Sequence, residues 1–173
     1  MTDTPTPTHY SAINDDVLDE EQRDLSFRPC GVDAPVRLTR EQIDHFNERG
    51  YILPVDVFAT TEMAEIRTYF DALLARVLAE GKDQYSISTA HMKYRRVYDL
   101  LAEPRIVDCV ADLLGEHVVG WGSHFFCKMP HDGKTVAWHQ DASYWPMTPS
   151  KTVTVWLAVD DADTDNACMR FLP

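Results

Sequence analysis

Hydrophobic residues recur at helical spacing in three segments of the chain, and each segment is bounded by residues that begin or end helices. In the first, "LTREQIDHFNERGY", Thr39 and Gln42 form a capping-box pattern and Gly50 follows the last turn. Ile43 and Phe46 supply the apolar face between them. This pattern predicts a helix that starts just after Thr39 and ends before Gly50.

The second and third segments predict two more helices by the same reasoning. "TTEMAEIRTYFDALLARVLAEG" closes at Gly81, and its apolar stripe consists of Met63, Ile66, Phe70, Leu73 and Val77. The third helix begins with a proline at its first turn and ends before a glycine. It runs from Pro104 to Gly115, with Ile106, Val110 and Leu113 on one face. We interpret these stripes as core.

After Gly115 the pattern changes to the alternation of β-strands. Strands are predicted in "HVVGWGSHFFCKM", "TVAWHQD", "KTVTVWLAVD" and "CMRFLP", separated by turn-rich segments. Helices followed by antiparallel strands indicate an α+β class. The sequence stops inside a predicted strand, which would leave an open sheet edge, so we expect it to be the front part of a longer protein.

Composition and charge narrow the class of protein. The 173 residues suffice for one domain, which we place at residues 36–173, after an acidic and mostly irregular arm at residues 1–35. The arm holds eight acidic and two basic residues, half of the net charge of −12. That charge argues against nucleic acid and anionic membranes as partners. Scattered cysteines and a start without signal-peptide features favour a cytoplasmic protein with reduced thiols.

Candidate chemistry is concentrated in "WHQDASYW". On a strand, His139 and Asp141 would point to the same face, with Gln140 on the other. An imidazole and a carboxylate on one face suit Fe(II), Mn(II) or Zn(II), and a third ligand would have to come from another strand. The tripeptide alone is a weak signal. An exposed ion pair at a strand end is the alternative interpretation of the same residues.

Other residues near this stretch carry weaker hypotheses. Ser143 with His139 and Asp141 fits a hydrolytic triad poorly, because triad members usually come from separate segments. His124 could serve as a substitute metal ligand. Three large side chains either line a substrate mouth or cap the core, and the sequence leaves both open: Tyr144, Trp145 and Met147.

The motifs in order resemble those of the phytanoyl-CoA dioxygenase family of Fe(II)- and 2-oxoglutarate-dependent oxygenases. The resemblance rests on "WHQD" followed by "YWP", "TVWLAVDD" and "DNACMRFLP", and it extends from about Leu38 to Pro173. It implies N-terminal helices packed on a double-stranded β-helix, a jelly-roll or cupin-like fold. That barrel would be incomplete in this chain.

The resemblance also implies roles for individual residues. His139 and Asp141 match the first two iron ligands, while Trp156 and His124 match positions that line the 2-oxoglutarate pocket. Asn166 matches the asparagine of an "NG" turn in which Ala167 replaces glycine. The family's distal histidine ligand and its arginine for 2-oxoglutarate have no counterpart up to Pro173. Because the carboxylate of Asp141 is retained, the resemblance implies hydroxylation and not halogenation.

The expected function is therefore hydroxylation of a small molecule, with Fe(II) as cofactor and 2-oxoglutarate and O2 as cosubstrates. Two alternatives remain. The chain could be a catalytically inactive fragment or subunit that needs its missing ligands in trans. It could also be a redox-inert, cupin-like protein that binds zinc or manganese. Neither the substrate nor the oligomeric state follows from the sequence.

Overall fold

The computed structural model describes residues 23–131, 133, 135–166 and 168–173. Within them, four α-helices are present: α1 (Arg40–Arg49), α2 (Thr60–Ala79), α3 (Arg95–Leu101) and α4 (Pro104–Leu114). Three short 3-10 helices span Gln84–Ser86, Ala90–Met92 and Asp141–Tyr144. Most of the predicted acidic arm lies outside the described residues, as do two residues of "PHDGK" and Ala167.

The described residues fall into two compact units. The larger unit comprises residues 29–136 and 153–173 and contains all four α-helices. The smaller unit comprises residues 23–28 and 137–152 and contains the 3-10 helix Asp141–Tyr144. His139 and Asp141 therefore belong to the smaller unit.

Helix α1 begins and ends where its capping residues predict. The Thr39 hydroxyl accepts a hydrogen bond from Gln42 N at 3.2 Å, and Gln42 Oε1 accepts one from Thr39 N at 2.9 Å. At the other end Gly50 has φ +81°, a left-handed conformation that a glycine adopts without steric cost. The predicted capping box and the terminating glycine are confirmed.

Helices α2 and α4 are also confirmed, and residues of their apolar stripes contribute to the two clusters of the core. From α2, Phe70, Leu73 and Val77 join one cluster. That cluster is completed by Ile87, Ala90 and Val97, with the ring of Phe125 stacked on Phe70 at 5.0 Å. The second cluster contains Leu38, Ile43 and Leu113. Helix α4 has Pro104 in its first turn and ends at Gly115, as predicted.

A buried carboxylate on α4 fixes the segment that precedes α1. Asp112 accepts hydrogen bonds from the backbone N–H groups of Val36, Arg37 and Leu38 at 2.8, 2.7 and 2.7 Å. Burial raises the pKa of Asp112, but the three backbone donors outweigh it, so the pKa lies below its ordinary value. The ionised carboxylate therefore links α4 to the start of α1.

The predicted strands do not form a sheet among the residues described. One antiparallel bridge joins Ser88 to His124, supported by a hydrogen bond from Phe125 N to Ile87 O at 3.2 Å. Backbone groups of an extended segment need partners on neighbouring strands before a sheet is stable. The double-stranded β-helix stays a prediction from the sequence.

The described residues can be checked for disulfides and for membrane-spanning helices. All four cysteines lie in that part of the chain, and no disulfide joins them. No α-helix there combines the length and the apolar character that a bilayer span requires.

Candidate metal centre

The segment around His139 and Asp141 is shaped by a tight turn. Gln140 is extended, with φ −114° and ψ 124°, and the 3-10 helix Asp141–Tyr144 follows it directly. Ser143 N and Ser143 Oγ both donate to Gln140 O, at 3.1 and 2.7 Å. The 3-10 helix begins at Asp141 itself, whereas the alternation of the sequence predicts a strand that ends there.

This turn brings the side chains of His139 and Asp141 together. His139 Nε2 lies 3.2 Å from Asp141 Oδ1, and His139 Nδ1 lies 2.8 Å from the carbonyl oxygen of Ala137. The side chains of His139 and Asp141 are 34% and 42% exposed, so solvent and small ligands reach both. The sequence predicted that the two groups would be neighbours, and their proximity is what a shared ligand sphere requires.

The hydrogen bond to Ala137 determines the protonation pattern of the ring. A carbonyl oxygen only accepts hydrogen bonds, so Nδ1 must carry the hydrogen, and Nε2 of the neutral imidazole is then an acceptor. Ionised Asp141 is also an acceptor. In that arrangement Nε2 and the Asp141 carboxylate face each other at 3.2 Å as two possible metal-binding atoms.

The separation of the two atoms fits a metal ion. A nitrogen and an oxygen at adjacent positions of a divalent ion, each roughly 2.1 Å from it, lie about 3.0 Å apart. The observed 3.2 Å between His139 Nε2 and Asp141 Oδ1 is close to that spacing. With a proton instead, the pair is an exposed ion pair, which contributes only about 0–1 kcal/mol to stability.

His139 and Asp141 are two candidate ligands, and the described part of the chain places no third one beside them. Among those residues there is no group of three or more His, Cys, Asp or Glu side chains placed to hold a metal ion. Firm binding of iron by a two-histidine, one-carboxylate site needs a further histidine. In this structure no described histidine is placed beside His139 and Asp141 to serve as that ligand.

Aromatic side chains flank the pair in the smaller unit. The ring of Tyr144 meets the imidazole of His139 edge-on, with centroids 5.7 Å apart. Tyr144 and Trp138 are each 62% exposed, whereas Trp145 and Met147 are half-buried. For Tyr144 this exposure favours the mouth of a site over a cap on the core.

The other predicted site residues lie in the larger unit. His124 takes part in the isolated bridge, and its ring meets Phe126 edge-on at 4.6 Å. Burial lowers the pKa of His124, which keeps its imidazole neutral near pH 7. Trp156 is 43% exposed. The roles of His124 and Trp156 at 2-oxoglutarate stay predictions.

Asn166 holds the turn that the sequence predicted for it. Its Oδ1 accepts from Asp163 N at 2.8 Å, and its Nδ2 donates to Asp161 O at 2.5 Å. An asparagine side chain that forms hydrogen bonds with nearby backbone groups in this way stabilises a turn that has no helical or sheet hydrogen bonds of its own. Its role in this structure is to shape the turn.

Sequence reasoning missed one residue at the candidate centre. Arg23, from the acidic arm, contacts backbone carbonyl groups of the turn that carries Asp141. The two segments are more than a hundred positions apart, and no local pattern indicated that they meet.

The class of protein follows from comparison with known families. The family model described as Phytanoyl-CoA dioxygenase (PhyH) matches residues 46–173, well over half of the chain. The chain belongs to this family, as its motifs indicated. His139 and Asp141 lie inside the matched region, whereas Arg23 lies outside it.

Individual relatives are oxygenases by name. The methylphosphonate hydroxylase of Gimesia maris is 26% identical over 79% of this chain and 56% of the relative. A probable alpha-ketoglutarate-dependent hypophosphite dioxygenase of Stutzerimonas stutzeri is 29% identical over 77% and 52%. The ectoine dioxygenase of Halomonas elongata is 24% identical over 83% and 47%. The chain thus spans about half the length of these curated relatives. No solved structure matches it.

Proposed function

We propose that this chain carries the first two metal ligands of an Fe(II)- and 2-oxoglutarate-dependent dioxygenase that hydroxylates a small molecule. One observation carries the proposal. His139 Nε2 faces Asp141 Oδ1 at 3.2 Å, while His139 Nδ1 lies 2.8 Å from the carbonyl oxygen of Ala137. Family membership and the names of the relatives support the same chemistry.

Each residue of the pair has a defined task in this proposal. His139 binds the ferrous ion through Nε2, and its hydrogen bond to Ala137 O keeps the ring in the tautomer that leaves Nε2 available. Asp141 contributes a carboxylate oxygen beside it and offsets part of the metal's charge. The bound iron, together with 2-oxoglutarate and O2, supplies the oxidising chemistry that hydroxylates a C–H bond.

From the resemblance to the family, we also propose that His124 and Trp156 serve the cosubstrate. The neutral ring of His124 offers one N–H donor, which can hydrogen-bond to a carboxylate oxygen without forming an ion pair. Trp156 offers a flat apolar surface and an indole N–H. We further propose that Asp141, by retaining its carboxylate, selects hydroxylation over halogenation.

A second candidate is a catalytically inactive chain that obtains its remaining ligands from another polypeptide. The absence, within the described residues, of any group of three metal-binding side chains favours it. The same residues would then bind a metal only weakly on their own. The two candidates differ in what the isolated chain does with 2-oxoglutarate.

Anaerobic metal binding tests the proposal directly. Purified protein is titrated with Fe(II), and a visible charge-transfer band is followed as 2-oxoglutarate is added. His139→Ala and Asp141→Ala are expected to weaken iron binding by more than the roughly 10–100-fold that loss of an outer hydrogen-bond partner causes. His117→Ala serves as the matched control, because its side chain is 96% exposed.

The outcomes separate the candidates. An iron-dependent band, with succinate released under iron and none under zinc, supports the dioxygenase. Iron bound with neither band nor succinate favours the chain that needs ligands in trans, and also a redox-inert metal protein. Iron binding that both alanine variants leave unchanged contradicts the assignment of His139 and Asp141.

A further inference from the structure

A short segment that precedes the family domain belongs to the same compact unit as the candidate metal centre. The family match begins at residue 46, but residues 23–28 group with residues 137–152. We refer to residues 23–28 as the upstream strap. The strap therefore lies outside the part of the chain that the family model matches.

The guanidinium group of Arg23 sits on the carbonyl end of the turn that carries Asp141. Arg23 Nη1 donates to Trp145 O at 3.0 Å, and longer contacts of 3.4 and 3.5 Å reach the carbonyl oxygens of Ser143 and Ala142. Arg23 Nη2 also lies 3.4 Å from Ser143 O. One side chain thus contacts three backbone carbonyl groups within residues 142–145.

Backbone hydrogen bonds continue the attachment beyond Arg23. Asp24 N donates to the hydroxyl of Thr148 at 3.0 Å, and Ser150 N donates to Asp24 O at 3.0 Å. The Asp24 carboxylate also pairs with Arg28 Nη2 at 2.6 Å, within the strap. The loop after Asp141 is therefore held to the strap at two places, near residue 145 and near residues 148–150.

Physical chemistry explains why an arginine is suited to this place. The carbonyl groups of Ala142 and Trp145 each accept one local backbone hydrogen bond, from Trp145 N at 3.4 Å and from Met147 N at 2.8 Å, and each has a second lone pair for a further donor. A guanidinium presents several N–H donors in a rigid plane and stays charged at every relevant pH, whereas a lysine ammonium acts as a single point. The 3-10 helix Asp141–Tyr144 is too short to be stable alone. Its geometry therefore depends on contacts of this kind.

We propose that the upstream strap holds the turn after His139 in place, and that Arg23 is a positioning residue for Asp141. This inference rests on the proposed function, because Asp141 is positioned there as a metal ligand. The hydrogen bonds that Arg23 donates go to backbone carbonyl oxygens of the turn. Arg23 acts through the backbone of residues 142–145, which sets the direction of the Asp141 side chain.

The test compares three single variants in the complete chain. Arg23→Ala removes all the carbonyl contacts, and Arg23→Lys retains the charge and one donor site. Arg40→Ala is the matched control, because Arg40 Nη2 likewise donates to two backbone carbonyl groups, Val32 O at 2.9 Å and Asp33 O at 2.8 Å. Arg40 belongs to the larger unit, and its two carbonyl contacts are within that unit.

Hydrogen exchange of the metal-free protein provides the first readout. Arg23→Ala is expected to accelerate exchange at the amides of Ser143, Trp145 and Ser150, while the core amides of α2 keep their protection. Arg23→Lys is expected to fall between wild type and Arg23→Ala. A general loss of protection that includes α2 would mean a structural role only, and unchanged exchange in the turn would overturn the strap.

Cobalt(II) binding, measured by calorimetry and by its visible spectrum, provides the second readout. Arg23→Ala is expected to weaken Co(II) binding about 10-fold, with partial recovery in Arg23→Lys and no change in Arg40→Ala. Faster exchange in the turn without a change in Co(II) affinity would overturn the positioning role. If the wild-type protein binds no Co(II), the proposed function is contradicted. Hydrogen exchange would still show whether the strap holds the turn in place.

Discussion

The helical region and the segment around His139 are stabilised in different ways. In the helical region, α2 alone contributes Phe70, Leu73 and Val77 to a buried cluster, and α1 carries a complete capping box. In the smaller unit the 3-10 helix has no buried residue, and Arg23 donates to the carbonyl groups of Ala142, Ser143 and Trp145 from a distant part of the chain. The core is therefore built largely from helices whose caps and apolar stripes involve residues close together in the sequence. The candidate ligands lie at a turn whose contacts with Arg23 span more than a hundred positions.

This contrast has a functional side. A turn with few apolar contacts can adjust when a ligand binds, whereas a packed helix face cannot. If the two regions are independent, changes in the helical core should lower the free energy of unfolding without weakening metal binding at His139 and Asp141. The following predictions test that separation.

The largest effect is expected from Leu73→Ala, which removes a side chain that is 4% exposed in the core of α2. The cavity should lower the free energy of unfolding by about 2–5 kcal/mol. Urea denaturation measures the loss, and Co(II) affinity should stay at the wild-type value under native conditions. Leu78→Ala, on the same helix at a position that is 41% exposed, is the control. A parallel loss of Co(II) affinity in Leu73→Ala would show that the two regions are coupled.

The next largest effect is expected from Asp112→Asn. The amide replaces one acceptor oxygen by a donor and leaves backbone N–H groups of residues 36–38 without their partner, which should cost about 2 kcal/mol. Because the pKa of Asp112 is lowered in the folded chain, its contribution is present above its ordinary value of 3.8 and is lost as the pH falls below it. Chemical denaturation at several pH values measures both. Asp108→Asn, on the exposed side of α4, should change neither.

A smaller effect is expected from Thr39→Ala, which removes the hydroxyl that caps α1. Loss of the bond to Gln42 N should cost about 1 kcal/mol. Thr39→Ser keeps the hydroxyl and should retain most of the stability. If both variants lose the same amount, the cap is not what stabilises the start of α1.

The smallest effect is expected at the exposed ion pair between Glu62 and Arg105. Hydrogen bonds from Arg105 and from Ala59 N hold the pKa of Glu62 at about 2, against an ordinary value of 4.5. The stabilising contribution is therefore complete above pH 4.5 and is lost as the pH falls towards 2.

Melting curves across this pH range measure the contribution of Glu62. Glu62→Gln should melt slightly lower than wild type at pH 6, and the difference should shrink as the pH approaches 2. Glu65→Gln is the control, because the Glu65 side chain is 76% exposed and lies 4.0 Å from its nearest basic partner. A difference that is independent of pH would contradict a role for the ionised carboxylate.

Helix α3 and the 3-10 turn show where sequence reasoning stopped. Tyr94, the N-cap residue of α3, makes no side-chain capping bond, and the helix has only seven residues. The turn at Asp141 likewise has no side-chain cap, and it lies within a segment whose alternation predicted a strand. Neither element carries a local start signal. Both depend on surrounding contacts that the sequence pattern does not display.

By itself, the sequence determined the bounds of α1, α2 and α4, the family, and the choice of His139 and Asp141 as candidate ligands. It could do so because caps, apolar stripes and the H-x-D spacing all act between residues a few positions apart. Only the tertiary structure decided that Asp112 binds the backbone of residues 36–38 and that Arg23 reaches the turn after Asp141. Those partners are 74–76 and 119–122 positions apart, and their meeting depends on where the folded chain returns.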